Sequence, residues 1–258
     1  MNRKPASGLF ITGTSTGVGK TYVAALVADA LRLQGIRVGV YKPVASGCRR
    51  EGNDLVADDA LALWNAAGQP GELAHVCPQL FEAPLAPPLA ARAEGRTVDA
   101  GLLRAGIEYW RSRSDIVVVE GAGGLLSPVT DDEYVADVAR DLGYPLVVVA
   151  ANELGVISHT LQTLVTAASV GLEVAAVVLN DARPRSEDDP SRASNFEELR
   201  RRIKRVEGAT RDDLTSGVVL RSAKPASVRV APSVVLTSVG WQEQTFNPVV
   251  DWATFGGT

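Results

Sequence analysis

Four side chains in this sequence have the chemistry to handle phosphate: Lys20 and Lys42, which carry fixed positive charge, Thr21, whose hydroxyl can sit on a metal ion, and Glu120, a metal-seeking carboxylate. Lys20 and Thr21 close the stretch FITGTSTGVGKTYVAAL, in which a short apolar run enters a loop of Gly, Thr and Ser and leaves as a helical pattern. Backbone N–H groups of such a loop, and of the unpaired first helical turn, converge on an anion. Glycines at 13, 17 and 19 let the chain approach phosphate oxygens without an intervening side chain. Five residues rather than four separate Gly13 from Gly19, so this is a relaxed P-loop. Thr16, Gly17, Val18, Gly19, Lys20, Thr21 and Tyr22 are its candidate phosphate contacts.

The remaining groups depend on elements that bring them to the same edge. Apolar spacing at three and four residues, with Gly35 as a stop, gives a helix over 20–34. The run 37–41 is then a strand, and the β–α–β order implies a right-handed crossover between parallel strands. Lys42 stands at that strand's carboxyl end, where open α/β sheets collect ligands. The loop after it carries Ser46 and Gly47, suited to touching a ligand. Four β-branched residues after Asp115 mark a strand buried on both faces, delivering Glu120 to that crevice with Gly121, Ala122, Gly123 and Gly124 behind it. An acid so placed helps hold magnesium in phosphoryl-transfer sites. A further strand over 145–151 leads to a helix over 157–170 whose first turn carries Ser158, His159 and Thr160, a place for capping or for a carboxylate. The strand 174–179 brings Asn180 and Asp181 to the same edge, where an amide reads a base or closes a turn.

Between these pieces, residues 54–67 read as a helix bearing Asp54, Asp58 and Asp59, and spacing alone does not choose which carboxylate reaches a metal. The proline-rich run 76–89 reads as loop or short broken segments, 98–113 and 131–142 as helices, 195–205 as a short charged helix and 234–239 as a last strand. Residues 206–232 show no sustained period and read as a mobile excursion. The sum is an α/β, single-domain, P-loop NTPase-like fold over 1–258: a mostly parallel sheet with helices on both faces and a less regular portion from 182 to 258.

Composition narrows the partners. A chain of 258 residues with 46% apolar content supports one large domain, and a net charge of −4 argues against nucleic acid. Arg200, Arg201, Arg202, Lys204 and Arg205 follow Glu197 and Glu198 at helical spacing, as a solvated face does. The absence of a long apolar run argues against a membrane span, and the N-terminus leads straight into a strand rather than a secretory signal. Cys48 and Cys77 lack metal-ligand spacing and fit a reducing compartment, so the expected location is cytoplasmic.

Taken together, GTSTGVGKT, YKPVASG, the DALAL run from Asp59, FEAPLAPPLAA, VEGAGG, LG-x-I-x-H-T around Gly155 and LND ending at Asp181 resemble the dethiobiotin synthetase family over about the first 180 residues. The resemblance implies an ATP- and magnesium-dependent ligase that closes a cyclic urea from carbon dioxide and 7,8-diaminononanoate. It gives Thr16 to Tyr22 to the ATP phosphates, Thr21, Asp59 and Glu120 to Mg2+, Lys42 to catalysis, Ser46 to the diamine, Asn180 to adenine, and a homodimer with the substrate carboxylate near Ser158. The chain departs from the family's commonest pattern at Ser15, often aspartate, and at Ser158, often asparagine. The family's Gly-x-Ile-Pro segment near the adenine has its nearest counterpart in Ser238-Val239-Gly240-Trp241, without the proline. Two other classes share a relaxed P-loop: partitioning or switch ATPases, which usually carry an extra lysine early in the loop where Thr14 and Ser15 stand here, and other amide-forming ligases.

Overall fold

The computed structural model describes residues 7–182, 189–206, 235–239, 246 and 250–255. Its centre is a six-stranded sheet of β1 (Ser7–Gly13), β2 (Val38–Tyr41), β5 (Ile116–Gly124), β6 (Leu146–Ala151), β7 (Val174–Asn180) and β8 (Val235–Val239), in the order β2-β5-β1-β6-β7-β8. Every neighbouring pair is parallel. Consecutive strand residues point to opposite faces, so the unbroken burial of Leu9 to Gly13, Ile116 to Glu120 and Val174 to Asn180 requires cover on both faces. The apolar runs seen in the sequence are those strands.

The register places the chemistry. Tyr41 pairs with Val119 and Ile11 with Glu120, so Lys42, one residue beyond Tyr41, emerges beside Glu120, one residue beyond Val119. Between Ile11 and Gly13 the β1–β5 register shifts, and Gly13 pairs with Gly124 as the chain peels into the loop. Helix α1 (Lys20–Leu33) follows at once, with Val23, Ala24, Val27, Ala28 and Leu31 buried.

Several expected boundaries move. Residues 54–56 do not open a helix. They form β4 (Asp54–Val56), antiparallel to β3 (Arg49–Glu51), because Gly52 at φ +60° turns the chain between them. Helix α2 (Asp58–Ala66) starts after that hairpin. The proline-rich stretch follows α3 (Leu73–Val76) and ends by entering a helix, α4 (Pro87–Ala93), with both prolines in the first turn, where an N–H has no helical partner to lose. The helix expected over 98–113 divides into α5 (Ala100–Ala105) and α6 (Glu108–Arg111): the Tyr41 hydroxyl donates to the Leu102 and Leu103 carbonyls, at 2.9 and 3.1 Å, and the chain turns at Gly106. Helix α7 (Val135–Leu142) begins later than expected, because residues 129–134 close a turn in which the Thr130 hydroxyl accepts from Glu133 N–H. Helix α8 (Val156–Ser169) matches its expected span within a residue, and α9 (Arg192–Val206) begins three residues early. On α9, Glu197 and Glu198 pair with Arg200, Arg201 and Arg202 at the surface, as a solvated face requires. The excursion expected over 206–232 lies, beyond Val206, outside the described residues, as do Gly240 and Trp241.

Candidate phosphate and metal site

The loop between β1 and α1 owes its path to two left-handed glycines, Gly17 and Gly19, at φ +76° and +87°. A Cβ on Gly19 would fall 2.1 Å from the Asn180 amide nitrogen, so both backbone and neighbour demand glycine there. That same amide donates to the Val18 carbonyl at 2.8 Å, clamping the loop from the end of β7. Lys20, only 8% exposed, donates to the Ser15 carbonyl at 3.2 Å and folds back over the loop.

Around this loop the sheet edge assembles one charge cluster. Lys42 Nζ lies 2.7 Å from Glu120 Oε1 and 2.8 Å from Asp59 Oδ2. The Thr21 hydroxyl donates to Glu120 Oε1 at 2.9 Å. Asp58, one residue before Asp59, points away: it is exposed and pairs with Arg49. Burial alone would lower the Lys42 pKa, but Glu120 and Asp59 outweigh it and hold the ammonium charged well beyond the ordinary lysine range. Lys20 goes the other way. Burial, then repulsion from Lys42, lowers its pKa to about 8 despite the two carboxylates.

A cleft of about 740 Å³ opens over this cluster, lined by Thr16, Gly17, Gly19, Lys20, Thr21 and Lys42, with Ser46, Asp59, Glu120, Ala122 and Gly123. Other expected site residues lie elsewhere. Val18 is buried beneath the loop and contributes its carbonyl to Asn180. Tyr22 is at the surface of α1 and Gly121 faces the core, where a Cβ would meet Phe10 and Val135. Asn180 and Asp181 are buried behind the loop: Asp181 accepts from Asn152 at 2.7 Å, and Asn152 in turn accepts from Asn195 of α9 at 2.9 Å. Ser158 is exposed on α8 and accepts from Gln162. Its neighbour His159 lines a separate cleft of about 410 Å³ that shares Thr16, Ser127 and Pro128 with the first.

The donor set suits a hard divalent cation. Glu120 Oε2 is buried with no hydrogen-bond partner among the described residues, an uncompensated acceptor that a cation would satisfy. Thr21 and Asp59 add oxygens. Among the described residues no cluster of three or more His, Cys, Asp or Glu forms a cage, and magnesium characteristically takes one or two carboxylates and completes its shell with water and phosphate. Sequence reasoning missed part of the lining: Ser127 and Pro128, and the run Pro84-Leu85-Ala86-Pro87. Proline content marked that run as irregular without saying which way it faced.

Comparison with known proteins follows the geometry. An AAA domain family model matches residues 7–211. The ATP-dependent dethiobiotin synthetase BioD of Rhodopirellula baltica is 44% identical over 207 residues, covering 76% of this chain and 80% of that protein. The protein of the same name from Anaeromyxobacter dehalogenans is 45% identical over 194 residues, covering 75% and 84%, and that from Bacillus licheniformis 41% over 176 residues, covering 67% and 72%. A solved structure of chloroplast FtsY from Physcomitrella patens is similar at a TM-score of 0.41 and 18% identity, over 76% of this chain and 54% of that one, and adds nothing to the assignment. Two lysines, a threonine and two carboxylates gathered around a relaxed P-loop, in a sequence this close to those relatives over most of both lengths, place the chain in the dethiobiotin synthetase family.

Proposed function

We propose that this protein is an ATP- and magnesium-dependent dethiobiotin synthetase, which closes the ureido ring of dethiobiotin from 7,8-diaminononanoate and carbon dioxide and releases ADP and phosphate. One observation carries the reading: Lys20, Thr21, Lys42, Asp59 and Glu120, from four separated parts of the sequence, line one cleft in a chain 44% identical to a relative of that name.

The chemistry matches what the cleft offers. An amine adds to carbon dioxide to give a carbamate, too weak an electrophile to cyclise. Phosphoryl transfer to a carbamate oxygen forms a mixed anhydride; the second amine then attacks the carbonyl carbon, and the C–O bond to phosphate breaks. Negative charge grows on oxygens in both steps, so fixed cations and N–H donors matter more than an acid–base pair. Lys20 and the loop amides face the phosphates. Lys42, charged and anchored between two carboxylates, supplies a positive centre at the reacting carbamate. Magnesium, when bound by Thr21, Asp59 and Glu120, neutralises phosphate charge. Asn180, its amide nitrogen given to Val18, keeps its carbonyl oxygen without a partner among the described residues, an acceptor that would suit an adenine amino group. The chain acts as one domain, in a cytoplasmic homodimer whose α8 carries Ser158 toward the substrate carboxylate.

Release of ADP, followed with and without 7,8-diaminononanoate plus bicarbonate, tests the reading. Stimulation by the diamine is expected; stimulation by DNA or lipid instead would identify a switch ATPase.

A further inference from the structure

Behind the P-loop, polar side chains from the ends of β6 and β7 and from α9 are joined end to end. Asn195 of α9, 3% exposed, donates its amide N–H to the Asn152 side-chain carbonyl at 2.9 Å, with longer contacts to the Glu153 carbonyl and the Ser191 hydroxyl, both at 3.4 Å. Asn152 donates in turn to the Asp181 carboxylate at 2.7 Å. Its backbone N–H also donates to the Asn180 carbonyl at 2.7 Å, so a single residue grips the end of β7 twice. From there the Asn180 amide reaches the Val18 carbonyl at 2.8 Å, inside the P-loop.

The direction of donation along this series is fixed by its last member. A carboxylate only accepts, so Asn152 must turn its NH2 toward Asp181 and its carbonyl toward Asn195, and Asn195 must answer with its own NH2. Each amide is held in one of two orientations by a neighbour far away in sequence. Reversing one of them would leave two like groups face to face in a buried setting, where an unmatched polar group is strongly unfavourable. Neither Asn152 nor Asn195 lines the phosphate cleft.

We propose that Asn195 and Asn152 are positioning residues for the nucleotide: from outside the cleft they fix the end of β7 and, through Asn180, hold the P-loop in its binding shape. The proposal rests on the nucleotide reading above. It makes α9, which contributes no group to the charge cluster, a support of that cluster's loop.

The test reverses the direction of donation in the full chain. Asn195→Asp keeps the shape of the side chain but sets oxygen where Asn152 needs a donor. Isothermal titration with Mg2+ and ATP should show Kd raised about tenfold, the scale of one mismatched buried polar pair. The KM for ATP should rise with it, with smaller changes in kcat and in the KM for the diamine. Adding Asp181→Asn restores a consistent run of donors in the opposite sense at unchanged net charge, and the double variant should recover most of the affinity. Amide hydrogen exchange over residues 17–21 of the unliganded protein should quicken in Asn195→Asp and slow again in the double variant. Asn195→Ser, too short to reach Asn152, is the milder second variant should the charged one not fold, and should raise Kd about threefold. An unchanged Kd in the Asn195 variants, whatever their melting temperatures, would overturn the proposal by leaving the network purely structural, and failure of Asp181→Asn to rescue Asn195→Asp would overturn the directional series. A wild type that binds no ATP defeats the nucleotide reading itself, an outcome seen before any variant is made.

Discussion

Lys42 is the residue on which the site's electrostatics turn. Buried and bonded to two carboxylates, its ammonium is what makes a nearly inaccessible Glu120 tolerable, because an unpaired buried charge is strongly destabilising. Lys42→Ala should therefore do two things. Turnover should fall at least ~10²-fold, the scale of losing one preorganised charge, while nucleotide still binds to the loop; steady-state kinetics beside a fluorescent-nucleotide titration separates the two. The melting temperature should drop as well, read by calorimetry. Lys20 yields a pH prediction. Its pKa is lowered to about 8 by burial and by Lys42, so at pH 6 it is charged with or without ligand, whereas at pH 8 to 9 much of it is neutral in the free protein. A bound polyphosphate favours the ammonium and raises that pKa. Nucleotide binding at pH 8 to 9 should take up a fraction of a proton that vanishes near pH 6, measured by titration calorimetry in buffers of different ionisation enthalpy.

At the scale of elements, the loop between β1 and α1 is kept in shape from outside itself. The Asn180 amide sits against Gly19 and bonds Val18, so the end of β7 and the P-loop form one unit. Gly19→Ala combines a strained left-handed residue, worth about 1–3 kcal/mol, with a collision against that amide, and should abolish measurable nucleotide binding. Asn180→Ala alone should weaken binding through a slackened loop, and in combination with Gly19→Ala should restore part of it by removing the collision; isothermal titration of the two single variants and the double variant measures the coupling. Periodicity found the long buried strands and α1 and α8 because their packing faces repeat within one element. It misplaced the starts of α2 and α7 and the break between α5 and α6, because those are decided by partners distant in sequence, such as the Tyr41 hydroxyl on the Leu102 and Leu103 carbonyls.

For the whole molecule, the sheet order puts β8 beside β7 at one edge. A chain ended after Ala182 would lose β8 and also α9, which buries Leu199 and Ile203, and would expose β7, a fully buried apolar strand, as an unpaired edge. That truncation should aggregate, seen by sedimentation, even though every residue of the charge cluster precedes it. The described residues contain no helix long and apolar enough to cross a membrane, in keeping with a sequence that has no apolar run of that length.

Chemistry written in local order was legible from the letters alone: a glycine-rich loop before Lys20 and Thr21, Lys42 and Glu120 each following an apolar strand, and the α/β alternation that makes those strands parallel. Tertiary structure decided what local order cannot express. Strand register brought Lys42 beside Glu120 and the Asn180 amide to the P-loop, and the packing of α2 and of the loop 84–87 added Asp59 and Leu85 to the cleft, because contacts between residues tens of positions apart depend on how elements pack and not on the spacing within any one of them.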